Sequence, residues 1–168
     1  MITLITGGAG TGKTLYALKL ASAYSLKAYI ATAEETDKEM ALKIYKHKKE
    51  RDHTYTTYEE PLELHQALES ASIKDVAVVD CITFWVNNIL YYNKDINTYK
   101  EQLLKTLSSV KKPVIIVTNE ISTGIVPQDA LTRNFVNTTA RINREIADIA
   151  NNLILMVAGQ PLYIKGER

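Results

Sequence analysis

Short apolar runs alternate along this chain with segments whose apolar residues recur every three or four positions. That is the pattern of strands and amphipathic helices taken in turn. The run Met1-Ile2-Thr3-Leu4-Ile5-Thr6 opens the series, a helix is predicted from about Lys13 to Tyr24, and Lys27 to Thr32 reads as a second strand. Thr36-Asp37-Lys38-Glu39 has capping-box spacing, and Met40, Ile44 and His47 of the helix it opens share one face; Glu50-Arg51-Asp52 closes that helix. His53 to Tyr58 is β-prone and short, a minor strand or an extended connector. Pro61 suits the first turn of the next helix, where its missing N–H costs nothing, with Leu64, Ala67, Leu68 and Ala71 as the buried stripe.

Val76-Ala77-Val78-Val79-Asp80 is a continuous apolar run closed by a carboxylate, as expected of a strand covered on both faces. Ile82 to Tyr92 and Ile96 to Val110 read as helices joined by Asn93-Lys94-Asp95, with Phe84 and Trp85 as packing residues. Pro113 to Glu120 is another buried strand with a polar end, and Gly124-Ile125-Val126-Pro127 is a loop. A long helix starts near Asp129 and runs to Ala150, with Leu131, Phe135, Ile142, Ile146 and Ile149 on one side. Asn152 to Ala158 and Leu162 to Lys165 are strands joined by Gly159-Gln160-Pro161, so the last one is antiparallel. Alternating elements of this kind predict an α/β fold, a mostly parallel sheet with helices on both faces.

At 168 residues the chain has the length of one domain, residues 1–168, with no linker or repeat. A formal net charge of +1 argues against a nucleic-acid stripe or a membrane-surface patch. No run approaches the roughly eighteen apolar residues of a membrane span, and the first residues read as strand and loop instead of a signal sequence. The lone cysteine, Cys81, lies in an apolar run; a core thiol in a reducing, cytoplasmic setting is the expectation.

The chemistry concentrates first in Gly7-Gly8-Ala9-Gly10-Thr11-Gly12-Lys13-Thr14, which satisfies G-x-x-x-x-G-K-[ST] between a strand and a helix. Glycines let successive backbone N–H groups turn inward on a phosphate, and the following helix points its positive end at the same spot. Lys13 is expected to neutralise β- and γ-phosphate charge, and the Thr14 hydroxyl to ligate Mg²⁺. Asp80, at the carboxyl end of a central strand, is the candidate for a second carboxylate near that metal, the alternative being a turn or N-cap aspartate. His47 stands among cationic side chains, in Lys46-His47-Lys48-Lys49, which favours the neutral, nucleophilic imidazole. On spacing alone it reads as a solvated or core histidine of a basic helix. Glu59 and Glu60 offer a carboxylate that guanine can satisfy with paired N–H groups, or serve as dipole partners of the next helix. Asn119-Glu120 ends a strand beside that of Asp80, where ligands of such sheets bind, or caps a turn. His53 and His65 form no metal-like spacing with each other or with Cys81.

Nearly end to end, the chain resembles the bifunctional adenosylcobinamide kinase / adenosylcobinamide-phosphate guanylyltransferase family. The blocks that carry the likeness are Ile5-Thr6-Gly7-Gly8-Ala9, Tyr29-Ile30-Ala31-Thr32, Glu39-Met40 through His47 to Arg51, and Asp80-Cys81-Ile82-Thr83 with Asn88. Thr118-Asn119-Glu120, Gly124-Ile125-Val126-Pro127 and Ala158-Gly159 complete it. The resemblance implies a RecA-like P-loop fold, a homotrimer and two reactions. The first phosphorylates the aminopropanol hydroxyl of adenosylcobinamide with ATP or GTP. The second transfers GMP from GTP onto that phosphate through a guanylyl-histidine, which by motif match is His47. It also implies nucleotide contacts at Gly7 to Thr14, at Ala31, Thr32 and Ala33, at Lys48, Lys49, Glu50 and Arg51, and at Glu59 and Asp80. Lys46 stands where members can carry a second histidine, and Ile121-Ser122 and Asn137-Thr138-Thr139-Ala140 depart from the usual pattern. Two alternatives stay open at this point: a P-loop kinase or NTPase without guanylyl transfer, and a non-catalytic nucleotide switch.

Overall fold

Seven strands hydrogen-bond into one sheet in the computed structural model, which describes residues 1–36, 38–49 and 51–167, leaving aside the side chains of Glu39, Met40, Lys43, Lys46 and His47. In chain order the elements are β1 (Ile2–Gly7), α1 (Lys13–Ala21), β2 (Lys27–Ala31), α2 (Lys38–Lys49), β3 (Tyr55–Glu59) and α3 (Leu64–Ser70). A 3-10 turn (Ala71–Ile73) leads to β4 (Val76–Asp80), α4 (Ile82–Tyr91), α5 (Ile96–Ser109), β5 (Val114–Val117), α6 (Ala130–Ile149), β6 (Asn152–Val157) and β7 (Gln160–Lys165). The strand order is β3-β2-β4-β5-β1-β6-β7, parallel throughout except for the antiparallel β6–β7 hairpin.

Strand periodicity sorts the core into two layers, because successive side chains point to opposite faces. Ile2, Leu4, Ala28, Ile30, Ala77, Val79, Val114 and Ile116 pack with residues of α3, α4, α5 and α6. Ile5, Tyr29, Val76, Val78, Ile115, Val117, Ile154 and Met156 pack on the other side, with Ala17 and Ala21 of α1. Both layers exclude solvent at their centres, with Ile5, Ile30, Val78 and Ile116 fully buried. The alternating-element expectation therefore holds, helices on both faces included.

Several boundaries differ from the sequence expectation for local reasons. α1 stops at Ala21, where the Ser22 N–H turns back to Lys19 O, so Ser22 to Tyr24 form a turn. Pro61 precedes α3 altogether: the Glu60 carboxylate accepts the N–H groups of Leu62 and Glu63, making a turn that delays the helix to Leu64. Leu131 belongs to the first turn of α6, beyond the edge of the core, and is exposed. The last hairpin turns on Ala158-Gly159, both with positive φ, so β7 begins at Gln160 and not at Leu162. The capping box proposed at Thr36 to Glu39 involves Asp37 and the Glu39 side chain, which lie outside the described residues, as does the Met40 and His47 part of the helix face.

Candidate active site

The loop between β1 and α1 is shaped by two glycines with no substitute. A Cβ on Gly7, whose φ is +147, would stand 2.5 Å from Met156 O. Gly12 takes the left-handed conformation (φ 87) and serves as the N-cap of α1. The loop is braced from beneath by the β6–β7 turn, whose Gly159 N–H donates to Thr11 O at 3.2 Å. Lys13 is buried, and its ammonium donates to Gly8 O at 2.5 Å, so the charge is folded over the loop.

Asp80 closes β4 on the α1 side of the sheet, and two hydroxyls converge on one of its oxygens. Thr14 Oγ1 donates to Asp80 Oδ2 at 3.0 Å and Tyr29 Oη donates to the same atom at 2.5 Å. Burial, and then the Asp80 charge, hold the Tyr29 phenol far above the ordinary tyrosine range, so it stays a neutral donor. The Arg51 guanidinium lies 4.0 Å from the centre of the Tyr29 ring, and Tyr55 meets that ring edge-on. Beside Asp80, burial and then the Asp80 charge push the Cys81 thiol up to about 12, so it is the inert core thiol expected of an apolar run.

These groups open into one cleft of about 280 Å³ at the carboxyl ends of the strands. Its lining joins the phosphate loop from Ala9 to Thr14 with Ala31, Ala33, Lys48, Arg51 and Asp80, all expected from the sequence. Ile44, Lys48 and Arg51 share the i, i+4, i+7 face of α2 and the residues just after it, and this face turns to the cleft. Position 47 lies in α2 between Ile44 and Lys48; its side chain, like Glu50, is outside the described part.

Other expected residues stand around the cleft without lining it. Thr32 is fully buried behind it, donating to Cys81 O and accepting from Cys81 N–H, which pins the chain just after Asp80. Glu59 pairs with Lys48 at 2.6 Å, in an exposed ion pair that a phosphate can displace at little cost. Lys49 is exposed, its ammonium over the Tyr45 ring. Gly7 and Gly8 shape the loop from below, Gly8 through its carbonyl. Reading the sequence for chemistry passes over Tyr29 as a site residue, although it shares the strand parity of Ala31 and so faces the same way. Phe84 and Leu15 add apolar wall.

Residues 3–164 match the family described as cobinamide kinase / cobinamide phosphate guanyltransferase. The chain belongs to this family. Its relatives include the bifunctional adenosylcobalamin biosynthesis protein CobP of Pseudomonas aeruginosa, 36% identical, with 99% of each chain covered. The bifunctional adenosylcobalamin biosynthesis protein CobU of Escherichia coli is 32% identical, over 98% of this chain and 100% of its own length. Among solved structures, a prototypical ATPase from the type III secretion system of pathogenic bacteria superposes with a TM-score of 0.57 at 13% identity, over 93% of this chain and 51% of that one. The RadB recombinase gives a TM-score of 0.51 at 14% identity, over 92% and 73%. The structural likeness shows the fold alone: this family member has the RecA-like P-loop α/β arrangement. No helix among the described residues is long and apolar enough to cross a membrane.

Proposed function

We propose that this protein carries out both reactions of its family on one corrinoid, adenosylcobinamide, using ATP or GTP and then GTP. In the kinase step the aminopropanol hydroxyl oxygen bonds to the γ-phosphorus and gives up its proton to solvent, the bond to the β–γ bridging oxygen breaks, and the nucleoside diphosphate leaves. In the transferase step an imidazole nitrogen of His47 bonds to the α-phosphorus of GTP and pyrophosphate leaves. The corrinoid phosphate then attacks the same phosphorus, the P–N bond breaks, and adenosylcobinamide-GDP is released with His47 restored.

The observation that carries this proposal is the shared cleft. Lys13 and Thr14 line it from the first turn of α1 and Asp80 from the end of β4, and Ile44, Lys48 and Arg51 face it from the segment that contains position 47. The loop N–H groups and Lys13 suit the β- and γ-phosphates; Lys48 and Arg51 add cationic charge on the α2 side, where a leaving pyrophosphate gains from it. Thr14 Oγ1 and Asp80 Oδ2 are neighbouring oxygen donors, which suit Mg²⁺, a cation held by one or two protein oxygens together with phosphates. When bound, Mg²⁺ supplies charge neutralisation at the phosphate oxygens. Among the described residues no cluster of three or more His, Cys, Asp or Glu offers a rival metal site. Glu59 is assigned to the guanine edge, which its displaceable partner Lys48 permits.

We place the protein in the cytoplasm as a homotrimer of one-domain chains. A single buried cysteine without a disulfide supports the compartment. The exposed Ile125, Val126 and Leu131 support association.

Incubation of the protein with cobinamide and either ATP or GTP tests the whole scheme. With ATP alone, phosphorylated corrinoid is expected; with GTP, the GDP-linked corrinoid and pyrophosphate. Phosphorylation without GTP-dependent pyrophosphate release would reduce the protein to a kinase, and nucleotide binding without any turnover would make it a switch.

A further inference from the structure

β5 ends in the centre of the sheet, between the strand of Asp80 and the strand of the phosphate loop, and Val117 is in register with both Asp80 and Ile5. The ladder to β1 continues past the strand: Thr118 N–H donates to Ile5 O and Glu120 N–H donates to Gly7 O, each at 3.0 Å. The pleat is therefore preserved across residues 117–120. Ile115 and Val117 face the α1 layer, and Asn119 continues that row into the cleft, which it lines together with Val117.

The backbone of Asn119 is held from the opposite face by two helices. Its N–H donates to Thr83 Oγ1 of α4 at 2.8 Å, and its carbonyl accepts from Asn143 Nδ2 of α6 at 3.2 Å. Those two side chains are tied together through Thr118, whose hydroxyl donates to Asn143 Oδ1 at 2.8 Å and lies 3.3 Å from Thr83 Oγ1. Thr83, Thr118 and Asn143 are all buried. A buried polar network with its members satisfied fixes one conformation, and this one fixes a residue whose own backbone groups are both consumed. Its carboxamide, a donor as well as an acceptor, is the part left to the cleft. Core packing gives no reason to bury three polar side chains for the sake of a loop residue; aiming that amide does.

We propose that Asn119 presents its carboxamide N–H to the terminal phosphate of the triphosphate held by the loop, with Thr83 and Asn143 as the residues that position it. The Thr14–Asp80 pair marks the cation-bridged β,γ end of such a ligand, and Asn119 extends from the adjacent strand beside it. The assignment rests on the nucleotide reading given above. It makes Asn119 a reader of phosphate number: a diphosphate has no oxygen in its reach, whereas a triphosphate does.

The test is calorimetric titration with the α,β-methylene analogues of GTP and GDP in the presence of Mg²⁺ and without corrinoid, so that guanylyl transfer is blocked and phosphoryl transfer has no acceptor. Asn119→Ala is expected to bind the triphosphate analogue about ten- to a hundredfold more weakly, the worth of one hydrogen bond to a charged oxygen, and the diphosphate analogue within about twofold of wild type. Asn119→Asp, which keeps the shape but replaces the donor by a negative charge, is expected to lose more of the triphosphate affinity. Thr83→Val is expected to lose part of it with the diphosphate unchanged, a selective effect that general loosening of the fold would not give. Lys13→Ala should weaken both analogues. Unchanged triphosphate affinity in Asn119→Ala, or equal loss of both analogues, would overturn the assignment while leaving the nucleotide site intact. Failure of wild-type protein to take either analogue would overturn the nucleotide reading itself.

Discussion

Replacing Tyr29 by Phe removes one oxygen atom, the one that meets both Asp80 and Arg51. The ring keeps its place under Arg51, 4.0 Å from the guanidinium, and its edge-on contact with Tyr55 at 6.4 Å between centres. The substitution removes the 2.5 Å bond to Asp80 Oδ2, an oxygen that keeps the Thr14 hydroxyl at 3.0 Å, together with the hydroxyl's interaction with Arg51. A hydrogen bond to a charged acceptor contributes about 1.5–3 kcal/mol. Because Asp80 borders an open cleft and water can replace part of the bond, the low end applies, about 1.5 kcal/mol. With a urea slope of about 2 kcal/mol per molar, the unfolding midpoint should fall by roughly 0.7 M. The thermal midpoint should fall by about 3–6 °C for a chain of this size. A double-mutant cycle with Asp80→Asn separates the bond from the rest of the change, and a coupling of about 1 kcal/mol is expected. A Tyr29→Phe protein as stable as wild type, or a cycle with no coupling, would refute the claim that this phenol holds the carboxylate.

Gly7→Ala should cost about 1–3 kcal/mol in urea unfolding, since its φ of +147 is strained for any side chain and the new methyl meets Met156 O; an unperturbed midpoint would show that the loop approaches β6 less closely. The Cys81 thiol should resist a disulfide reagent at pH 8 in the native protein and react at once in denaturant, because burial keeps it protonated up to about 12. Its raised pKa favours the fold fully below the unfolded value of about 8.5 and loses that contribution as pH rises toward the folded value. Stability should thus fall more steeply above pH 8.5 in wild type than in Cys81→Ala, and parallel curves would contradict the burial argument.

What the sequence made legible was local or periodic. The phosphate loop declares itself because its glycines answer a backbone demand within eight residues, and β4 because a doubly covered strand needs an unbroken apolar run before Asp80. Even β3 shows through its β-prone residues. Strand order does not, since the hydrophobic pattern of β5 is the same wherever the crossover places it. The Lys48–Glu59 pair and the Tyr29–Asp80 bond join residues from separate elements, and a tyrosine inside an apolar strand reads as packing until its neighbour is known. Thr32 has the opposite parity to Ala31 and Ala33, so its side chain turns away from the cleft and its hydroxyl reaches Cys81. Pro61 misled because Glu60 makes a turn of its own there, an arrangement that composition does not foretell.

Covalent capture of the nucleotide is the most direct test of the central claim. After incubation with Mg²⁺ and GTP labelled at the α-phosphate, denatured protein should retain label that acid removes and base spares, and proteolysis should place it on the peptide from α2 that contains His47. The label should vanish in His47→Ala, while that variant still phosphorylates cobinamide. Label that persists in His47→Ala, or wild-type protein that turns GTP over without ever holding it, would contradict the account.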